Sequence, residues 1–241
     1  MAKVGWIGVE SLPRTMLGLA DVAASLGIDA RAVERLVEAG QLPARQVNGR
    51  WQFRAGDVAN WAATNLHALP RSQVRSPPRG SDLLVSLTLS PDRVAIPLAA
   101  RTRLSVLSEL VRLAEGTGQI KDWRDLLNSL IEREKQHSTA LPGGVALPHS
   151  AQVGRHLVEE WPLIIAGHAS SGIPFGDASG ELTDLFFLLC CADYRQHLVY
   201  LGRLCRLLSE PGALAELRGA GDATAFVGVL QRREEALCQA P

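Results

Sequence analysis

Apolar residues first recur at helical spacing from Leu19. Leu19, Ala20, Ala23 and Leu26 share one face, and Gly27 supplies a stop in which positive φ costs nothing. Asp29 is placed to cap a second helix striped by Val33, Leu36 and Val37, and Gly40 ends it. Two short helices across a tight glycine-containing turn make a helix-turn-helix candidate. The pattern then changes to strand-favouring residues, with Val47, Trp51 and Phe53 placed around Asn48-Gly49. Asn-Gly is the strongest two-residue hairpin signal, because both central residues must take positive φ. Asp57 is read as the cap of a closing helix that holds Val58 and Trp61.

Between residues 66 and 82 the periodicity lapses. Prolines, serines and arginines dominate, the composition of an extended linker. Beyond it, Leu84–Leu89 and Val94–Ile96 are short apolar stretches. Val106, Leu107, Leu110, Val111 and Leu113-Ala114 then read as a helix, and Trp123 to about Lys135 as another. Strand-like pieces follow at Gly144–Leu147, Leu163–Ala166 and Leu185–Cys191, and helices at His197–Leu208 and Ala213–Leu217. Strands alternating with helices predict an α/β layer structure.

Composition narrows the class. Across 241 residues, 46% are hydrophobic, enough for packed cores. No apolar run approaches the roughly 20 residues needed to span a bilayer, and the start does not read as a secretory signal. A cytoplasmic protein without a membrane partner is expected. Cys190, Cys191, Cys205 and Cys238 lie among apolar residues in neither disulfide nor zinc spacing, so they read as small buried hydrophobes. The zero net charge is uneven: residues 1–80 hold ten Lys/Arg against six Asp/Glu, and residues 81–241 fifteen against nineteen. A basic N-terminal part suits a polyanion.

Leu19-Ala20-Asp21-Val22-Ala23, then Gly40-Gln41-Leu42-Pro43, the Val47–Arg54 hairpin and Asp57-Val58-Ala59-Asn60-Trp61 together resemble the excisionase/MerR-type winged helix DNA-binding domain. The resemblance implies a recognition helix around Asp29–Ala39 in the major groove and a wing beside the backbone. Arg31 and Arg35, four apart, share a helix face; either can donate to guanine or to phosphate. Arg45, Arg50 and Arg54 surround the wing, where phosphate contact is expected. One small module binds DNA weakly, so a homodimer is expected.

The second informative segment is Arg133-Glu134-Lys135-Gln136-His137-Ser138-Thr139, continuing through Gly143-Gly144-Val145-Ala146-Leu147-Pro148-His149. A strand running into Pro148-His149 sets an imidazole at its exposed end, and the paired glycines permit close approach. Arg133 supplies a permanent cation and Ser138 and Thr139 supply hydroxyls, groups suited to three phosphoryl oxygens. His67, His137, His156 and His168 are read as surface or structural histidines, with His137 near the edge of the site. Together with Gly172–Gly176, Leu182–Leu189 and His197–Leu204, this block resembles the enzyme IIA domain, type 2 (fructose/mannitol and nitrogen-regulatory class), of the bacterial phosphotransferase system, from about Leu84 to near the C-terminus. The family's proline-containing loop before its second histidine is here Cys190–Gln196, without proline.

The two resemblances imply a small N-terminal winged helix-turn-helix domain at 15–65, preceded by a tail at 1–14. A linker at 66–82 leads to an α/β domain at 83–241, a mixed sheet flanked by helices. They further imply that His149 accepts a phosphoryl group from an HPr-type phosphocarrier and that His197 supports it, with no metal or organic cofactor. The protein is then a carrier rather than a stand-alone turnover enzyme. The function expected is a regulator coupling phosphorylation of His149 to DNA binding or transcriptional control. The alternatives are a carrier serving a sugar transport chain through a IIB-type acceptor, or an interaction protein that is not phosphorylated.

Overall fold

The computed structural model describes residues 16–66, 69, 84–177 and 179–239. The expected tail and most of the expected linker lie outside them. Strand β1 (Met16–Gly18) leads into helix α1 (Leu19–Leu26), which ends where Gly27 adopts a φ of 64°. Asp29 stands at the N-cap of α2 (Ala30–Glu38). Strands β2 (Arg45–Val47) and β3 (Arg50–Arg54) form an antiparallel hairpin closed by Asn48 and Gly49 at φ 50° and 76°, as a two-residue turn requires. β1 pairs with the other edge of β3, giving the order β1-β3-β2. Helix α3 (Ala55–Asn65) starts earlier than expected: its N-cap is Arg54, and Asp57 lies within the first turn, where a carboxylate still complements the helix dipole.

The C-terminal region begins with helix α4 (Leu84–Thr88) and strand β4 (Val94–Leu98), followed by helices α5 (Arg103–Gly116) and α6 (Trp123–Gln136). Strands β5 (Ala140–Leu141), β6 (Val145–Ala146), β7 (Leu163–Ile173) and β8 (Thr183–Cys190) complete a five-stranded sheet of order β4-β7-β8-β6-β5. β4/β7 and β6/β8 are parallel and the other pairs antiparallel, so the sheet is mixed. Helices α7 (Tyr194–Leu208), α8 (Ala213–Arg218) and α9 (Ala223–Gln239) close the fold.

Strand β8 is apolar on both faces because both are covered. Phe186, Leu188 and Cys190 pack with Leu107, Leu110 and Leu126 of α5 and α6, while Leu185, Phe187 and Leu189 pack with Leu201 of α7 and Phe226 of α9. All four cysteines are free and buried. The second core does not stop at the α/β domain. It continues through α7 into Val22, Leu26, Phe53 and Trp61, because α1 and α3 lie against α7. Gly202 of α7 stands in this contact: a Cβ there would sit 3.2 Å from the Ser25 carbonyl oxygen and 3.3 Å from that of Leu26. The exposed pair Arg195–Asp21, 3.3 Å apart, lies beside this contact.

Candidate functional site

Strand β6 pairs with β8 and delivers Leu147-Pro148-His149 along it, with Leu189 N–H donating to Pro148 O at 2.9 Å. His149 itself bridges Leu189 in parallel register. The imidazole is therefore not at an exposed strand end, as expected, but 3% accessible beneath β8 and α7. Its Nδ1 lies 2.8 Å from Leu147 O. A carbonyl only accepts, so the neutral ring carries its proton on Nδ1 and leaves a lone pair on Nε2. That Nε2 is buried and without a hydrogen-bond partner.

His197 faces it from the first turn of α7, whose N-cap Asp193 accepts from Gln196 N–H at 2.8 Å. The ring centroids are 4.8 Å apart at 51°, and His197 Nε2 is likewise buried without a partner. Arg133 reaches the same region from α6. It is 3% accessible, its Nη1 donates to His137 O at 2.8 Å, and its Nε has no partner. Burial first and the Arg133 charge second lower the His149 pKa from 6.5 to about 4, against the opposing Leu147 bond. Burial, His149 and Arg133 together hold His197 well below its usual value. The result is two neutral imidazoles beside a buried cation, with three polar atoms unsatisfied. Buried polar groups are normally paired; an anionic group would accept from Arg133 Nε–H and from His197 Nε2 in its Nε2–H tautomer, while the His149 Nε2 lone pair is left for an electrophile.

Ser138 and Thr139 are occupied elsewhere. Ser138 Oγ donates to Phe175 O at 3.2 Å, and the Thr139 hydroxyl and N–H both donate to the Glu134 carboxylate. Burial raises the Glu134 pKa, opposed by these Thr139 bonds and by Arg133 and Arg103. The glycine pair serves the β5–β6 turn rather than a ligand. Gly143 and Gly144 have φ of 86° and 75°, and a Cβ on Gly144 would meet Arg218 Nη2 at 2.7 Å and Leu182 O at 3.0 Å.

A small cleft adjoins the site, lined by Ser150, Gln152, Gly154, His156, Leu189 and His197. His156 is buried with Nε2 2.9 Å from Ser150 Oγ, a hydroxyl that also lies 2.5 Å from Ser129 Oγ. Sequence reasoning left Ser129 and Asp125 unmarked, although Asp125, Ser129 and Arg133 recur every four residues along α6, the spacing of one helix face.

In the N-terminal region Arg31 and Arg35 are exposed on α2. Arg50, Gln52 and Arg54 alternate along β3 and share a face, and Arg45 pairs with Gln52 across the hairpin, its Nη2 3.2 Å from Gln52 Oε1. Paired residues project to the same side, so Arg45, Arg50 and Arg54 form one exposed basic face. Phe53, opposite Leu17, turns to the core.

Residues 88–233 match the family model for the phosphoenolpyruvate-dependent sugar phosphotransferase system, EIIA 2, and residues 16–66 match that of a helix-turn-helix domain. A nitrogen regulatory protein of Bradyrhizobium diazoefficiens is 32% identical over 145 residues, covering 59% of this chain and 91% of that protein. The crystal structure of nitrogen regulatory protein IIA-Ntr from Neisseria meningitidis superposes with a TM-score of 0.54 at 21% identity, over 61% of this chain and 99% of that one. A complex of enzyme IIA mannitol with phosphorylated enzyme IIB mannitol from Escherichia coli gives 0.52 at 15% identity, over 60% and 97%. With the mixed sheet and its histidine pair, these matches identify the chain as a member of the EIIA 2 family of the phosphoenolpyruvate-dependent sugar phosphotransferase system, carrying an N-terminal helix-turn-helix domain.

Proposed function

We propose that this protein is a cytoplasmic, phosphotransferase-linked regulator in which His149 accepts a phosphoryl group from an HPr-type phosphocarrier and the modified site alters DNA binding by the N-terminal domain. The observation that carries this reading is the unpartnered, neutral Nε2 of His149 beside His197 and Arg133. In the transfer, the Nε2 lone pair forms a bond to phosphorus as the donor's N–P bond breaks. The donor imidazole leaves neutral, keeping the proton on its other nitrogen. The acceptor ring then holds the phosphoryl group on Nε2 and its proton on Nδ1, with the ring's positive charge supported by Leu147 O at 2.8 Å. Arg133 and His197 face the equatorial oxygens, where negative charge spreads in the transition state. Ser138 and Thr139 serve this chemistry by exchanging their present partners for phosphoryl oxygens as the site opens.

The helix-turn-helix domain supports the second half of the reading. Arg31 and Arg35 on α2, with Arg45, Arg50 and Arg54 on the wing, would meet DNA as an excisionase-like module, as a homodimer on paired half-sites. Helix α7 carries His197 near one end and packs on α1 and α3, giving the phosphoryl site a route to that domain. The test is incubation with phosphoenolpyruvate, enzyme I and HPr, followed by DNA binding of the labelled and unlabelled protein. An acid-labile label absent from His149→Ala, with a change in affinity or dimerisation, is expected. An unlabelled wild type beside an active control would refute acceptance, and equal affinity would refute coupling. A second reading, a carrier that passes the group to a IIB-type acceptor, draws on the IIA–IIB complex among the similar structures.

A further inference from the structure

The residues after His149 are held by a polar chain that the transfer chemistry does not use. Ser150 Oγ lies 2.9 Å from His156 Nε2 and 2.5 Å from Ser129 Oγ, and it accepts from Gln152 N–H at 2.9 Å. His156 Nδ1 in turn lies 3.2 Å from Asp125 Oδ2, a carboxylate also gripped by Arg155 at 3.0 Å. The loop's backbone is tied to the α5–α6 connection: Lys121 N–H donates to His156 O at 2.9 Å, and Val158 N–H to Gln119 O at 2.8 Å.

Asp125, His156 and Ser150 have the composition of a nucleophilic triad, so the hydroxyl's capacity decides between attack and support. Burial lowers the His156 pKa, as do Arg155 and Lys121, while Asp125 opposes them. A neutral His156 with its proton on Nδ1, held toward Asp125 at 3.2 Å by charge and short of hydrogen-bond geometry, accepts the Ser150 proton on Nε2. A serine hydroxyl has one proton and two lone pairs. His156 takes the proton, and Ser129 O–H and Gln152 N–H take the lone pairs. Ser150 is saturated and has no lone pair left for a phosphorus atom. It is a tie point.

The other end of the chain shows what the tie holds. Asp125, Ser129 and Arg133 occupy one face of α6 at four-residue steps. Asp125 fixes His156, Ser129 fixes the residue following the acceptor, and Arg133 sets the charge over both site imidazoles. We propose that Asp125, Ser129 and His156 are positioning residues which, through Ser150, lock the His149 backbone to α6 and so aim His149 Nε2 at the incoming phosphorus with Arg133 in register. This rests on the phosphoryl-acceptor reading above. In-line transfer is sensitive to placement: an error of about 1 Å costs on the order of 10²-fold in rate.

The experiment is single-turnover phosphorylation of full-length protein by phosphorylated HPr, comparing Ser129→Ala with Ser129→Thr and His156→Leu with His156→Gln. Ala and Leu should lower the saturating rate by about 10- to 100-fold while the half-saturating donor concentration stays unchanged. Thr restores the hydroxyl and Gln an acceptor in the Nε2 position, so each should recover most of the rate. A rate unaffected by Ala and Leu would overturn the proposal, as would losses that track thermal stability and are not rescued. An acid-stable label on His149→Ala would overturn it too, by making Ser150 an acceptor instead of a clamp. Nitrogen-15 NMR of the unphosphorylated protein gives an answer that does not depend on transfer. The Nδ1–H tautomer of His149 should dominate in wild type and lose dominance in Ser129→Ala and His156→Leu; an unchanged ring in both variants would refute the clamp even if wild type takes no label.

Discussion

Acidification offers a sharp test of the His149 environment. The unfolded chain protonates this imidazole near 6.5 and the folded protein near 4, because the buried ring has no solvent to stabilise its cation and Arg133 repels it. Between those values the unfolded state binds the extra proton, so folding stability falls as pH drops from 6.5 toward 4 and levels off below. At about 1.4 kcal/mol per pH unit the full window is worth between about 3 and 4 kcal/mol. Urea denaturation at half-unit steps from pH 7.5 to 3.5, in wild type and His149→Gln, reads this share together with the relief of His197. Gln cannot titrate, and it also removes the neighbour that depresses His197. The wild type should lose more stability than the variant by at least about that figure, because His197 is also less depressed in the variant, and His149 ring resonances should not move until pH approaches 4. A His149 midpoint between 6 and 7, or parallel pH profiles for the two proteins, would refute the argument that the acceptor is buried and neutral.

Other expectations follow from the same geometry. Replacing Arg133 with Met should raise the pKa of both His149 and His197, read by NMR titration, and slow phosphoryl acceptance; unchanged titrations would separate Arg133 from the site. Gly202→Val puts atoms against the Ser25 and Leu26 carbonyl oxygens, an overpacking expected to cost about 1–3 kcal/mol. Amide exchange should then rise in α1 and α3 while the α5–α6 face keeps its protection. Arg31→Ala and Arg50→Ala should each reduce the salt dependence of DNA binding by about one unit of log–log slope if they contact phosphate. An unaltered slope with relaxed sequence preference would instead assign base contact.

Local chemistry made much of the N-terminal region legible. Gly27 and the Asn48-Gly49 turn have backbone demands that few other residues meet, and both appear where the sequence placed them. The Leu84–Leu89 stretch gave no such signal. Its first turn is a helix because Glu234 accepts from Val85 N–H, Ser86 N–H and Ser86 Oγ across nearly 150 residues of chain. That same glutamate breaks the apolar pattern of α9, which sequence reading passed over although Phe226, Val229, Leu230 and Leu237 are buried on it. At the site, the Pro148-His149 block was legible as chemistry but not as burial. An imidazole at the end of a short strand reads as exposed until its parallel neighbour β8 and the first turn of α7 are placed over it. The present partner of Thr139 was hidden for a related reason: the carboxylate that takes its hydroxyl, Glu134, stands five residues away on the preceding helix.

The proposed coupling has two candidate carriers, charge and packing, and the structure favours packing. A phosphoryl group adds about −1.5 to −2 charge, yet exposed arginines more than about 10 Å away are screened at ordinary salt. Volume is harder to screen. The two site rings stand 4.8 Å apart with both Nε2 atoms buried, so a phosphoryl group on His149 needs a neighbour to give way, and His197 is the ring beside it. His197 belongs to the first turn of α7, and Gly202 lies five residues further along, roughly 7–8 Å at the helical rise. There the helix meets α1 without a side chain to cushion the contact. Close-packed interiors shift between discrete arrangements rather than deform smoothly. A displacement of α7 that admits the phosphoryl group therefore moves α1 or breaks its contact, and α2 follows α1. Methyl NMR of Leu26 on phosphorylation separates the two carriers. A change at Leu26 comparable to that near His197 supports packing; a response confined to the exposed arginines would assign the coupling to charge.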